Sequence, residues 1–97
     1  MDIIFEVIDK TGRKIHLTNE RLFHISEHKG MDKYLEDIKN TLTNPNKIVP
    51  HDNGELYDYY KYHKHRKSNL KFLMVVVKYL NGKGFVLTSY FVPRITY

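Results

Sequence analysis

The clearest hydrophobic pattern lies in the middle of the chain, where apolar residues recur at helical spacing. They are Met31, Tyr34, Leu35, Ile38 and Leu42. On a 100° step these positions lie within roughly 100° of arc, and polar residues cover the opposite side. The pattern predicts an amphipathic helix whose stripe faces the core. The helix is expected to stop before Pro45, because proline disfavours helical geometry in the residue that precedes it.

A second helix is predicted just before this one, over the segment LTNERLFHISEHKG at positions 17–30. Thr18 or Asn19 can cap its first turn, and Gly30 can end it in the left-handed conformation. The preceding run DIIFEVIDKTGRKIHL is rich in β-branched and aromatic residues and contains a turn signal with Gly12. This run therefore predicts a β-hairpin.

After Pro45 the pattern becomes that of strands. KIVP, ELYDYYKYH and LKFLMVVVKYL are separated by the turn HDNGEL and the loop KHRKSN, and NGKG predicts a tight hairpin before FVLTSYFV. Apolar residues on both faces mark LKFLMVVVKYL as a central strand. In the last strand, alternation places Val86, Thr88 and Tyr90 on one face and Ser89 on the other.

The element order is therefore ββααββββ. It predicts one α+β domain over residues 1–97, with two helices packed on one face of a mostly antiparallel sheet. The opposite face of the sheet is expected to be partly open.

Composition narrows the functional classes. The chain has 16 Lys and Arg against 11 Asp and Glu, a formal net charge of +5, and no cysteine. Disulfide frameworks and thiolate metal sites are thereby excluded. The N-terminus has no signal-peptide pattern, and the longest apolar run, residues 72–77, is too short to cross a membrane. We therefore expect a cytoplasmic protein without a membrane partner.

The positive charge is concentrated in KYHKHRKSNLK, residues 61–71, which contains five Lys or Arg, two His and no acid. Tyrosines, among them Tyr60, are interleaved with the cations just before and within this strip. Cations pair with phosphates and aromatic rings stack on bases, so the pattern is typical of binding to single-stranded nucleic acid. A solvated loop with no partner is the alternative.

His24 and His28 lie four residues apart on the first predicted helix, with Glu27 directly before the second. This spacing allows three interpretations. Two histidines at i and i+4 can bind zinc, but the sequence shows no third ligand with suitable geometry, so a metal is not expected. They can transfer protons near neutral pH, or they can be an idle surface pair at the edge of the junction between helix and sheet.

Several of these stretches, in this order, resemble the phage-associated nucleases of the barnase–EndoU–colicin–RelE superfamily. The matching features are His24 and His28, the Asn44–Pro45 pair that ends a helix before a short strand, and the T-x-Y core formed by Thr88 and Tyr90. The resemblance covers residues 17–92. Members often carry a basic residue just before the second histidine, where this chain has Glu27.

The resemblance implies metal-independent endoribonuclease activity without a cofactor. The 2′-OH of RNA would attack the neighbouring phosphorus, with histidine as general acid or base. We assign His28 as the general base or acid and His24 as its partner or orienter, with Lys61 as the candidate phosphate clamp and Thr88 as a donor to a phosphate oxygen. Substrate-binding roles fall to Tyr90, Arg66 and Tyr60.

RNA is thus the expected partner. We also expect the protein to be a toxin of a mobile element or of a toxin–antitoxin pair, which makes a cognate antitoxin or immunity protein a further partner. The main alternative is a non-catalytic RNA-binding module on the same scaffold. Another is an interaction protein whose basic face meets an acidic partner.

Overall fold

The computed structural model describes residues 2–28 and 30–97. Six strands form one sheet: β1 Ile3–Ile8, β2 Lys14–Thr18, β3 Lys47–His51, β4 Leu56–Tyr62, β5 Phe72–Leu80 and β6 Lys83–Val92. The helices are α1 Asn19–Ile25 and α2 Leu35–Thr43, with short 3₁₀ helices at Met31–Tyr34 and Asp52–Gly54. Ignoring the 3₁₀ turns, the order is the predicted ββααββββ.

The strands lie in the order β1-β2-β6-β5-β4-β3. All neighbouring strands are antiparallel except β2 and β6, which are parallel over a short stretch. The predicted α+β class is confirmed, with a mixed sheet. The central position of β5 is confirmed as well, since it pairs with β4 on one side and β6 on the other. Within the described ranges, no helix is long and apolar enough to cross a membrane.

Local signals set the ends of α1. The Thr18 hydroxyl accepts a hydrogen bond from the backbone N–H of Arg21 at 3.2 Å, which caps the first turn as predicted. The helix ends at Ile25, earlier than expected, and turns carry the chain to Gly30, which has a φ of +75°. Glycine adopts that conformation without steric cost.

The apolar stripe of the second helix packs as predicted, although its first turn, Met31–Tyr34, is a 3₁₀ helix. Ile38 and Leu42 are fully buried in the main core, against the inner residues of the central strands. A smaller cluster on the opposite face of the sheet joins Tyr60 and Met74 to Ile95 of the C-terminal segment. That segment covers part of the face that the sequence left open.

A β-bulge interrupts the pairing of β5 with β6. Val77 pairs with Val86, but its neighbour Val76 pairs with Thr88, so Leu87 is the extra residue. Val86 is fully buried on the helix-bearing face, whereas Thr88 lies on the opposite face. The prediction that Val86 and Thr88 share a face was therefore wrong, because strict alternation does not hold across a bulge.

Asp9 directly follows β1 and fixes the first hairpin to strands β4 and β5. Only 4% of the surface of this residue is exposed. Its carboxylate accepts hydrogen bonds from the Tyr59 hydroxyl, from the Tyr79 hydroxyl at 3.1 Å and from the Arg13 backbone at 2.8 Å. Burial alone would raise the pKa of Asp9. The hydrogen bonds outweigh burial, so the pKa lies below its usual value.

Candidate active site

The site is centred on His28, whose backbone is fixed at the end of α1. The His28 N–H donates to the Ile25 carbonyl at 2.9 Å, and the His28 carbonyl accepts from the Met31 N–H at 3.0 Å. The imidazole reaches β6, where Nε2 lies 3.3 Å from Oγ1 of Thr88. Either atom can be the donor, depending on the protonation of the ring.

Tyr90 lies two residues further along β6 and completes this cluster. Its ring centroid lies 4.9 Å from that of His28, with an angle of 36° between the ring planes. The pairing register places Tyr90 and Thr88 on the same face of the sheet. Tyr90 remains 37% exposed, so the phenol ring can reach a ligand bound beside the imidazole.

The structure places His24 in a separate pair. Its Nδ1 lies 3.5 Å from Oε1 of Glu27, three residues away on the same helical segment. Both side chains are more than half exposed. Across residues 2–28 and 30–97, no group of three or more His, Asp or Glu side chains is arranged to hold a metal ion.

Lys61 and Arg66 are not brought together with His28. Lys61 is the cross-strand neighbour of Leu73, which is in turn the neighbour of Phe91. The side chains of this row face the helices, on the side of the sheet opposite Thr88. The Lys61 Nζ donates to the Asn44 carbonyl at 2.9 Å. Arg66 stacks over the Phe91 ring, with Cζ 3.6 Å from the centroid.

Tyr60 lies on the same face as Tyr90, since both pair with Met74, but it is buried. Only 1% of its surface is exposed, and its hydroxyl accepts a hydrogen bond from the Thr96 backbone N–H at 3.4 Å. Burial raises the pKa of Tyr60. The C-terminal segment thus covers the ring that was expected to contact substrate.

A comparison with protein families matches residues 4–97 to the model of the phage-Barnase-EndoU-ColicinE5/D-RelE like nuclease2 family, PBECR2. The chain belongs to this family. Comparisons with curated proteins and with solved structures gave no match. The resemblance inferred from the sequence is confirmed, and the PBECR2 domain extends over nearly the whole chain.

The PBECR2 domain holds a further cationic candidate that the sequence interpretation overlooked. Arg21 lies in the first turn of α1, seven residues before His28. It lines a hollow of about 200 Å³ together with His16 and Phe85. Phe85 lies in β6, three residues before Thr88. The signal available in the sequence was the run R-x-x-H-x-x-x-H, with an arginine three residues before the first histidine and seven before the second.

The cluster in this nuclease domain combines three chemical abilities. The imidazole of His28 can accept or donate a proton, the hydroxyl of Thr88 can orient the ring or bind an oxygen, and Tyr90 offers a face for stacking. All three groups lie at the surface, where a polymer can reach them. Such a set suits acid–base chemistry on an extended substrate.

Proposed function

We propose that this protein is a metal-independent endoribonuclease and that His28 performs proton transfer at the cleaved phosphodiester. The observation that carries the proposal is the contact of His28 with Thr88 at 3.3 Å, beside the ring of Tyr90. Membership of a nuclease family and the net positive charge support it. An imidazole held by a hydroxyl on a rigid strand has the orientation that acid–base catalysis needs.

The proposed reaction is a transfer within the RNA chain. The ribose 2′ oxygen attacks the adjacent phosphorus, and the bond from phosphorus to the 5′ oxygen of the next nucleotide breaks. A base takes the 2′ proton and an acid gives a proton to the leaving oxygen. The products are a 2′,3′-cyclic phosphate and a 5′-hydroxyl, and no water is consumed in this step.

His28 is assigned one of the two proton transfers. Thr88 holds Nε2 in place, and its hydroxyl can turn to a phosphate oxygen when the substrate is bound. Tyr90 stacks a base beside the imidazole. Arg21 replaces Lys61 as the candidate for holding the phosphoryl charge, because Lys61 faces the other side of the sheet. His24, paired with Glu27, is a secondary candidate for the other proton.

A role as a toxin follows from the same reasoning. Membership of a phage-type nuclease family supports a setting in a mobile element. An unrestrained ribonuclease would stop translation in its host. Induced expression in bacteria is therefore expected to arrest growth, and His28→Ala is expected to relieve the arrest at equal protein level.

A non-catalytic RNA-binding module is the second candidate. It is favoured by one observation, namely that the strongest cationic cluster, around Lys61 and Arg66, lies on the face opposite His28. Binding alone requires no proton carrier. Cleavage and binding must therefore be measured separately.

The deciding experiment incubates the purified protein with single-stranded RNA in EDTA and analyses the product ends. We expect cleavage with 2′,3′-cyclic phosphate termini. His28→Ala is expected to lower kcat/KM by about 10²–10⁴-fold, the usual contribution of a general acid or base. A substrate with 2′-deoxyribose at the cleaved position should resist, because it lacks the attacking hydroxyl.

The matched control is His51→Ala. His51 lies on the edge strand β3, three strands from β6, and pairs with Asp58 at 2.8 Å, so this change removes an exposed imidazole that does not contact His28 or Thr88. Its activity is expected to equal that of the unaltered protein. Full activity in folded His28→Ala would refute the proposed site. Binding of RNA without any cleavage would favour the second candidate.

A further inference from the structure

An open cleft of about 550 Å³ lies on the helix-bearing face, between α2 and the end of β4 with its following loop. We call it the β4 cleft. Its lining carries five basic side chains and an amide: Asn40, Lys61, His63, Lys64, His65 and Arg66. No carboxylate in the described ranges lines it. Such a concentration of positive charge attracts anions.

Arg66 is held rigidly at this cleft before any ligand arrives. Its Nε donates to the Leu70 carbonyl at 2.8 Å, and Nη1 donates to the Tyr34 hydroxyl at 3.0 Å. The guanidinium lies over the Phe91 ring. The Lys71 ammonium donates to the Arg66 carbonyl and fixes the loop. A preorganised guanidinium loses little conformational entropy when it binds a phosphate.

His63 supplies an unused hydrogen-bonding atom. Its Nε2 is buried and has no hydrogen-bond partner among the protein groups of residues 2–28 and 30–97. The ring packs edge-on against Phe91, with centroids 5.4 Å apart. Burial lowers the pKa of His63, Asp37 opposes this effect, and Arg66 and Lys61 add to it. A phosphate in the cleft would offset the neighbouring positive charge, and a turn of the ring would let this nitrogen pair with a phosphate oxygen.

The β4 cleft and the His28 site lie on opposite faces but near the same end of the sheet. Tyr62, Phe72 and Val92 pair in one row where β4 and β6 end and β5 begins. Tyr62 belongs to the face that carries Thr88 and Tyr90, and it also lines the β4 cleft. It is 47% exposed and packs on Phe72, with centroids 5.1 Å apart. An exposed ring therefore lies between the two sites.

We propose that the β4 cleft is a second phosphate subsite for single-stranded RNA, binding a backbone phosphate of a nucleotide beyond the cleaved bond. The RNA chain passes around the end of the β-sheet, and one of its bases stacks on Tyr62 between the two sites. This inference rests on the proposed function for its substrate. It explains why a basic, tyrosine-bearing strip lies away from the proton-transfer group.

The test uses a double variant, His63→Phe with Lys64→Gln, which keeps an aromatic ring against Phe91 and removes two donors. Its substrates are a dinucleotide with one cleavable bond and a single-stranded oligonucleotide of about twelve nucleotides, within the range of 4–16 that one single-strand binding site covers. Cleavage of the dinucleotide is expected to stay unchanged. For the longer RNA, KM is expected to rise about tenfold with unchanged kcat, the signature of lost uniform binding.

Two further measurements separate this inference from the catalytic proposal. The probe is a twelve-nucleotide single strand in which every ribose is replaced by 2′-deoxyribose, so that it cannot be cleaved. Its binding is measured by fluorescence anisotropy. The double variant is expected to bind this strand about tenfold more weakly. A plot of the logarithm of the binding constant against the logarithm of the salt concentration should have a slope shallower by roughly 0.7–1.4, because one or two phosphate contacts are lost. The control Lys83→Gln removes one charge at the opposite end of the sheet. It should change neither the affinity nor its dependence on salt.

The outcomes are distinct. Weaker binding by the variant supports the subsite even if the unaltered protein proves inactive. Unchanged binding and KM would overturn it, as would an equal loss on the dinucleotide or an equal effect of Lys83→Gln. Binding of polyglutamate is measured in the same way. If the variant loses binding to polyglutamate but not to the nucleic acid, the cleft is a docking surface for an acidic protein and the RNA assignment fails.

Discussion

The imidazole Nε2 of His28 lies 3.3 Å from the hydroxyl of Thr88, although the two residues are 60 positions apart in sequence. His28 lies in the turn that follows α1, and Thr88 lies directly after the bulge in the last strand. The contact can form only when α1 is docked against β6. Correct folding of the domain and orientation of the imidazole are thus linked.

Thr88→Val tests this link because it removes the hydroxyl and keeps the branched shape. A lost neutral hydrogen bond of about 0.5–1.5 kcal/mol corresponds to a fall in kcat/KM of roughly 2- to 12-fold. Thr88→Ser retains the hydroxyl and is expected to keep most of the activity. The measurement is cleavage of one defined RNA by both variants, with circular dichroism to verify folding. Equal activity of Thr88→Val and Thr88→Ser would show that the hydroxyl plays no part.

Tyr90 is expected to act through its ring, since its contact with His28 is between ring faces. Tyr90→Phe should therefore retain most of the activity. Tyr90→Ala should raise KM by about 5- to 150-fold, because stacking of one base on an aromatic ring contributes about 1–3 kcal/mol. Steady-state kinetics on a short RNA distinguishes the two. A large loss of kcat in Tyr90→Phe would instead identify the phenol as a proton donor.

The parts of the fold that could be predicted depend on local signals. Asn81 and Gly82 both have positive φ and form the predicted two-residue hairpin turn, which favours these residue types. Ile38 and Leu42 follow the helical period, and each is fully buried. Turn chemistry and periodicity act over a few residues, so one sequence suffices to recognise them.

The parts that could not be predicted depend on long-range pairing. Strand β4 carries tyrosines on both faces, so alternation does not tell which face meets the helices, and the position of Lys61 remained open. The bulge at Leu87 has no composition signal in this strand. The contact of Asp9 with Tyr59 joins residues 50 positions apart, at the end of β1 and in β4, which are not neighbours in the sheet.

Gly84→Ala is expected to destabilise the domain. A Cβ at this position would lie 2.7 Å from Cε1 of Tyr79 and 3.0 Å from Cγ1 of Ile15. Tyr79 cannot easily move away, because its hydroxyl bonds to Asp9 and its ring packs under the Arg13 guanidinium, 4.4 Å from the centroid. Overpacking of this kind costs about 1–3 kcal/mol.

Urea unfolding measures the effect of Gly84→Ala. The matched control is Lys83→Ala, an exposed neighbour in the same strand, which should change the free energy of unfolding by less than about 0.5 kcal/mol. An unchanged stability of Gly84→Ala would mean that the Tyr79 ring shifts at no cost, and that its contacts with Asp9 and Arg13 contribute little.

Asp9 is expected to make the stability of the domain sensitive to acid. Its pKa is lower in the folded chain than the value of roughly 3.9 in an unfolded chain. The charged carboxylate therefore stabilises the fold fully above that value, and the contribution is lost as the pH falls through the lower, folded pKa. Asp9→Asn should reduce the free energy of unfolding at neutral pH by about 1.5–3 kcal/mol, the range for hydrogen bonds to a charged group.

The difference in stability between the unaltered protein and Asp9→Asn should then shrink at a pH below about 3.9, because the unaltered carboxyl is becoming protonated as well. Urea titrations at neutral and acidic pH measure this directly. Asp2→Asn serves as the control, since Asp2 is exposed and its carboxylate accepts a long hydrogen bond of 3.3 Å from the Asn19 side chain. If the difference in the free energy of unfolding stays constant with pH, Asp9 acts through its shape alone. Its charge then adds nothing to the contact between the first hairpin and Tyr59.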